Sequence, residues 1–286
     1  MHEINTPATS NAHIRAKALI DRLGLRESYP FKSNFIETAM GAMHFIDEGQ
    51  GNVILAIHGN PTWSYLYRDF IKDLSTTHRV VAPDHIGFGL SDKPSNEEDY
   101  TIERHIDNLE ALVLALDLTN LTLIVQDWGG PIGLGMASRH PDRIKSLVLL
   151  NTFGFYPPMD TADPDKLKLP LPLRLMRTPG IGDFLVRRLG FFERKAMPMG
   201  VAGGAQFKKV AKAYTGVFDG TGDRAGVMAF PRLIPTTSQH PSAQILLNET
   251  TPFLTSFKGP TRIFWGMKDP FFPVEALHAW KKLLPA

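Results

Sequence analysis

Val125-Gln126-Asp127-Trp128-Gly129-Gly130-Pro131 is the stretch on which the reading of this chain turns. An apolar run leads into it, an acidic residue stands at its centre, and Trp and two glycines follow before a helical pattern opens. That order describes a nucleophile elbow, in which a buried strand meets a helix at a strained turn and the apex side chain points to bound substrate. Small residues after the apex let strand and helix approach closely. The helix N-terminus favours a negative charge beside it. A carboxylate at such an apex has a particular use. On saturated carbon a serine alkoxide would form an ether, which water does not readily cleave. A carboxylate forms an ester, whose carbonyl carbon water can attack. The plain alternative is an Asp that caps the helix after a strand. The flanking segments decide between them.

Outward from the elbow, short apolar runs at residues 42–46, 53–58, 79–83, 121–126 and 144–150 read as strands. Most are apolar throughout, as suits strands buried on both faces of a mainly parallel sheet. Helical patterns fall between them, at 65–74, 101–118 and 130–140. In the second, Ile102, Ile106, Leu109, Leu112 and Leu116 keep helical spacing. Strands alternating with helices predict an α/β chain with a mostly parallel, doubly wound sheet. Residues 47–51 (Asp-Glu-Gly-Gln-Gly) are expected to close an antiparallel hairpin between the first two strands. After Asn151 the pattern changes. Residues 153–248 are rich in Pro and Gly, with helical stretches at 181–189 and 207–214 and no evident strand, and are expected to form a helical cap. A strand at 261–265 and a helix at about 273–284 resume the alternation. The expected organisation is an N-terminal extension (1–30, with a helix over 11–25), an α/β core (31–152 and 249–286) and the inserted cap (153–248).

Composition narrows the function classes. The 286 residues are 43% hydrophobic and 21% charged, ordinary for a globular protein with a full core. A formal net charge of +2 gives no reason to expect a nucleic-acid or membrane-surface partner. The absence of cysteine excludes disulfides, thiolate metal sites and a thiol nucleophile. No apolar run approaches the ~18 residues of a membrane span. The polar N-terminus does not read as a signal peptide, so a cytoplasmic location is expected.

The second chemical segment is His58-Gly59-Asn60-Pro61-Thr62-Trp63-Ser64. A loop at this place supplies one backbone N–H of the oxyanion hole, and the residue after the nucleophile, Trp128, supplies the other. Each donor can contribute ~3 kcal/mol to a developing oxyanion. The Asn60 side-chain amide and the Trp128 indole N–H are neutral donors suited to a soft anion such as halide. His58 reads as structural.

HGNPTWSYLYR (58–68), APDHIGFGLSDKP (82–94), VQDWGGPI (125–132) and WGMKD (265–269) together resemble the haloalkane dehalogenases of the α/β-hydrolase superfamily. The likeness runs from about Phe31 through the cap segment RAGVMAFP (224–231). It implies an α/β-hydrolase fold with Asp127 as nucleophile and Asn60 and Trp128 as halide ligands. It also implies a third acid at Asp269, because the alternative place at Asn151-Thr152 holds no carboxylate. The family's base histidine follows an eighth strand. Here the chain ends at Ala286, and His278 sits in a helical setting. The expectation is therefore that the last strand is missing and the base lies beyond residue 286. The same branch resembles bacterial β-lactone decarboxylases, which is the alternative reading. Epoxide hydrolysis, with Tyr156 and Tyr214 as candidate acids, is disfavoured by Asn60. The expected ligands are a small apolar substrate and halide, with no metal and no organic cofactor.

Overall fold

The apolar runs pair into a seven-stranded sheet with the order β1-β2-β4-β3-β5-β6-β7. The computed structural model describes residues 7–156, 169, 171–200 and 204–284. β1 (Asn34–Thr38) and β2 (Gly41–Glu48) form the antiparallel start. β2 runs antiparallel to β4 (Arg79–Pro83). From there β3 (Val53–Ile57), β5 (Leu121–Asp127), β6 (Ile144–Thr152) and β7 (Thr261–Phe264) continue in parallel. Leu55, Ile57, Leu123, Val125 and Leu149 are fully buried, as strands covered on both faces require.

The expected hairpin between the first two strands is a correction. β2 pairs with β1, a strand the sequence reading did not include, and with β4, but not with β3. A short loop does not make neighbours when the wholly apolar β3 gains more between β4 and β5. Gly49 makes the crossing, with φ +82° and a position where a Cβ would stand 2.1 Å from the His78 carbonyl oxygen.

α1 (Pro7–Leu23) precedes the sheet, and α2 (Arg68–Leu74) follows one 3₁₀ turn at Ser64–Tyr67. α3 (Ile102–Ala115) starts where the Thr101 hydroxyl accepts the Arg104 N–H at 3.1 Å, and buries Ile106, Leu109 and Leu112. α4 (Gly129–Arg139) leaves the elbow directly.

Between β6 and β7 the described residues carry helices and no strand. They are α5 (Leu171–Met176), wide π-type turns at Asp183–Arg188 and Phe192–Ala196, α6 (Met197–Gly200), α7 (Gly204–Thr215) and α8 (Ala225–Leu233). α9 (Pro241–Ile245), π-type turns at Leu246–Thr250 and α10 (Thr251–Ser256) then form one run packed on α3 and α4. The expected junction between residues 248 and 249 falls inside that run. α11 (Val274–Leu283) follows β7. Glu97 ties cap to core, accepting from Arg187 at 2.8 Å and from Arg232. β7 lies at the sheet edge with Phe264 61% exposed, and no strand follows it among the described residues. No helix among the described residues is long and apolar enough to cross a membrane.

Candidate active site

β5 delivers Asp127 to the turn with φ +50°, the left-handed region that L-residues other than Asn and Asp rarely enter. The turn is tight enough to exclude side chains around it. A Cβ at Gly59 would stand 2.2 Å from Asp127 Oδ1, and one at Gly129 would stand 2.1 Å from the Ile57 carbonyl oxygen. The Thr152 hydroxyl donates to the Asp127 carbonyl at 2.5 Å, and the Tyr67 hydroxyl to the Ile57 carbonyl at 2.8 Å. Both pin the ends of the strands that hold the apex.

Two backbone amides converge on the carboxylate. Asn60 N–H donates to Asp127 Oδ1 at 2.7 Å, and Trp128 N–H donates to the same group. These are the two donors assigned to an oxyanion hole from the sequence. Burial nevertheless dominates, pushing the Asp127 carboxyl up to about 7; the two amides oppose the rise, and the charge on Asp269 adds to it.

The loop that presents Asn60 is locked by histidines. His58 Nδ1–H donates to the Gly59 carbonyl at 2.8 Å, and its Nε2 accepts the His85 backbone N–H at 2.9 Å. Both ring nitrogens are thereby used, and burial lowers the pKa, so His58 is neutral and structural as expected. Asp84, of the second resemblance segment, accepts from Ser64 N–H at 2.7 Å and Leu90 N–H at 2.8 Å and binds His44 at 2.9 Å. It fastens the end of β4 to the start of the 3₁₀ turn at Ser64–Tyr67 that follows β3.

The side chains of Asn60 and Trp128 meet the cap on α8. Pro231 lies inside that helix and has no N–H to give the Val227 carbonyl four residues back. Asn60 Nδ2 donates to that carbonyl instead, at 3.3 Å. Asn60 Oδ1 is buried with no hydrogen-bond partner. The Trp128 indole is wedged edge-on between Phe153 (5.0 Å between centroids) and Phe230 of α8 (4.9 Å). Arg177 closes the C-terminal end of α8, donating to the carbonyls of Pro231 and Ile234 at 2.8 Å each.

Asp269 follows β7 on the same side. Its Oδ1 accepts from Phe271 N–H at 2.8 Å and Phe272 N–H at 3.2 Å, and its Oδ2 accepts from Asn151 Nδ2 at 3.0 Å. Asn151 was noted from sequence only for lacking a carboxylate. Here it bridges β6 to the Asp269 loop, its Oδ1 accepting Gly266 N–H at 2.7 Å. The parallel ends of β6 and β7 bring those places together. None of the described histidines is hydrogen-bonded to Asp127 or Asp269, and His278 is exposed on α11. Tyr214 is packed against Phe207 and Tyr65, within the cap-facing aromatics. Among the described residues no group of acids and histidines is arranged to hold a metal ion. A surface cavity of about 290 Å³, lined by Met40, Asp99, Arg104 and Asn108 among others, shares no residue with this site.

Residues 52–286 match the sequence model of the alpha/beta hydrolase fold. This chain belongs to the α/β-hydrolase fold family. Within that family this hydrolase is 39% identical to the cis-3-alkyl-4-alkyloxetan-2-one decarboxylase of Shewanella oneidensis, over 90% of this chain and 79% of that one. It is 37% identical to haloalkane dehalogenase 2 of Mycobacterium tuberculosis, over 85% of this chain and 80% of that one. Among solved structures, this hydrolase superposes on haloalkane dehalogenase DpaA of Paraglaciecola agarilytica with a TM-score of 0.74 at 29% identity. That match covers 93% of this chain and 87% of the other.

Proposed function

We propose that this hydrolase cleaves carbon–halogen bonds through an alkyl ester on Asp127. The observation that carries the reading is a carboxylate, not a hydroxyl, at the apex of the elbow with two backbone amides gripping it. An Asp127 oxygen attacks the halogen-bearing carbon, the C–O bond forms, and halide leaves with the electron pair. Asn60 Nδ2–H and the Trp128 indole N–H receive the halide. Water then attacks the ester carbonyl, whose developing oxyanion lies against the Asn60 and Trp128 backbone N–H groups. The alcohol departs and Asp127 is restored. This second step needs a base to take the proton from water, and Asp269, steadied by Asn151, suits the orienting acid of such a base. The ligands are a small apolar substrate and halide, and a chain without cysteine suits a reducing, cytoplasmic setting.

A second reading has its own support. Relatives in Shewanella oneidensis and Xanthomonas campestris, at 39% and 35% identity, are named as β-lactone (oxetan-2-one) decarboxylases. Asp127 attack on the ring carbon bonded to oxygen would open the lactone to a carboxylate. Loss of CO₂ from that carboxylate forms the C=C bond and expels Asp127 without any water.

The test is to incubate the chain with a short bromoalkane and follow bromide and intact mass. With no described histidine on Asp269, the expected result is one bromide per chain and an alkyl adduct mapped to Asp127. No bromide and no adduct from folded protein would refute the haloalkane reading. Alkene released from a cis-dialkyl β-lactone would then establish the second.

A further inference from the structure

We propose that the outer face of α5 and of the turns that follow it docks on an anionic lipid bilayer. The proposal stands on this surface alone and does not depend on the reaction assigned above. Leu171 and Leu175 of α5 are exposed, the former 62%. Ile181, Phe184 and Leu189 are exposed as well, while Gly182 and Val186 between them and Gly190 after them are buried, so one side of this segment is apolar and faces out. Five large apolar side chains shown to water within nineteen residues exceed the scattered exposure of an ordinary surface.

The charges around them are mostly positive among the described residues. Across residues 171–200 the exposed charged residues are Arg174, Arg188, Arg194 and Lys195. The two acids of this stretch are otherwise engaged. Glu193 is fully buried against Arg224 at 2.6 Å. Asp183 accepts the Gly180 N–H at 3.0 Å and pairs with Arg187 at 3.8 Å. A net charge of +2 for the whole chain conceals this segregation.

Apolar side chains beside cations that have no ion-pair partner among the described residues match a surface that offers acyl chains beneath phosphates. A second copy does not match, because a two-fold contact would set the four cations against themselves. A nucleic acid would leave the five apolar side chains without use. The face also lies directly outside α8, whose other side carries Val227 and Phe230 over Asn60 and Trp128. A docked molecule would hold the apolar phase one helix away from Asp127.

The experiment is vesicle flotation of the full chain. Phosphatidylglycerol–phosphatidylcholine vesicles are compared with phosphatidylcholine alone, and Arg174→Glu/Arg188→Glu and Ile181→Ser/Phe184→Ser are run beside the parent. All substituted side chains are exposed, and circular dichroism verifies that each variant is folded. The expected result is binding to the anionic vesicles only, weakened about tenfold or more by the charge reversal. Binding should also weaken in the apolar double variant and disappear in about 1 M salt. Equal partition onto both vesicles, no binding to either, or unchanged binding by the charge-reversed variant would overturn the proposal. Capture of an acidic protein without vesicle binding would overturn it equally.

Discussion

Asp127 combines three costs in one residue: a left-handed backbone, a half-buried, desolvated carboxylate and a second carboxylate nearby. Each opposes folding, and each bears on the attack on carbon proposed above. A carboxyl that ionises at about 7 attacks only as its anion. The rate of bromide release in the first turnover should therefore fall about tenfold per pH unit below 7 and level off above it. Asp269→Asn removes a negative neighbour and should move the midpoint of that profile to lower pH, as stopped-flow bromide assays would register. The same shift sets a stability trend. The unfolded carboxyl ionises near 3.8, so between there and 7 the folded state holds the extra proton and loses stability as pH rises. Asp127→Asn escapes this and also tolerates positive φ. It should melt like the parent near pH 4 and exceed it at pH 8, by at most about 4 kcal/mol in urea titrations. The residues proposed to act, Asp127, Trp128, Asn60 and Asp269, were singled out in the sequence by their type and local order. Asn151 was not, because its partner stands 118 positions away and only the pairing of β6 with β7 joins them.

α8 shows how one residue in a helix is spent on a neighbour. Pro231 denies Val227 its usual donor, and the orphaned carbonyl takes hold of Asn60. Pro231→Ala would return an N–H to that carbonyl and compete for it. The helix should gain stability while bromide binding, read from quenching of tryptophan fluorescence, weakens about fivefold, the equivalent of one hydrogen bond of ~1 kcal/mol. Unchanged quenching would show that Asn60 holds its place without α8. The sequence displayed Pro231 and grouped it with cap segments, yet the consequence needed the helix register and the loop beneath it. Strand runs such as residues 79–83 were readable to the residue because burial on both faces makes them uniformly apolar. β1 was missed because Asn34-Phe35-Ile36-Glu37-Thr38 offers two buried apolar residues between polar ends. The mistaken hairpin came from weighing a short loop above the burial that pulls β3 to the sheet centre.

Across the whole molecule, sequence order and spatial order diverge. The cap is one long insertion between adjacent strands, but it returns to the core along Pro241–Ser256 before the chain reaches β7. Glu97 joins it to the loop after β4 through Arg187 and Arg232. Net charge and composition report none of this, since they average over faces that the fold separates. Phe230 belongs to the cap by sequence, yet it is fully buried and meets Phe88, His105 and Trp128 of the core at 5.1, 5.0 and 4.9 Å. No boundary drawn through the chain can put that ring on one side only. Loosening the cap strips the core of a central aromatic, and loosening the core leaves the cap without its floor. Calorimetry should accordingly record one cooperative transition with equal calorimetric and van't Hoff enthalpies, and two separate peaks would contradict this. Cap and core are expected to unfold as a single thermodynamic unit because they share that ring.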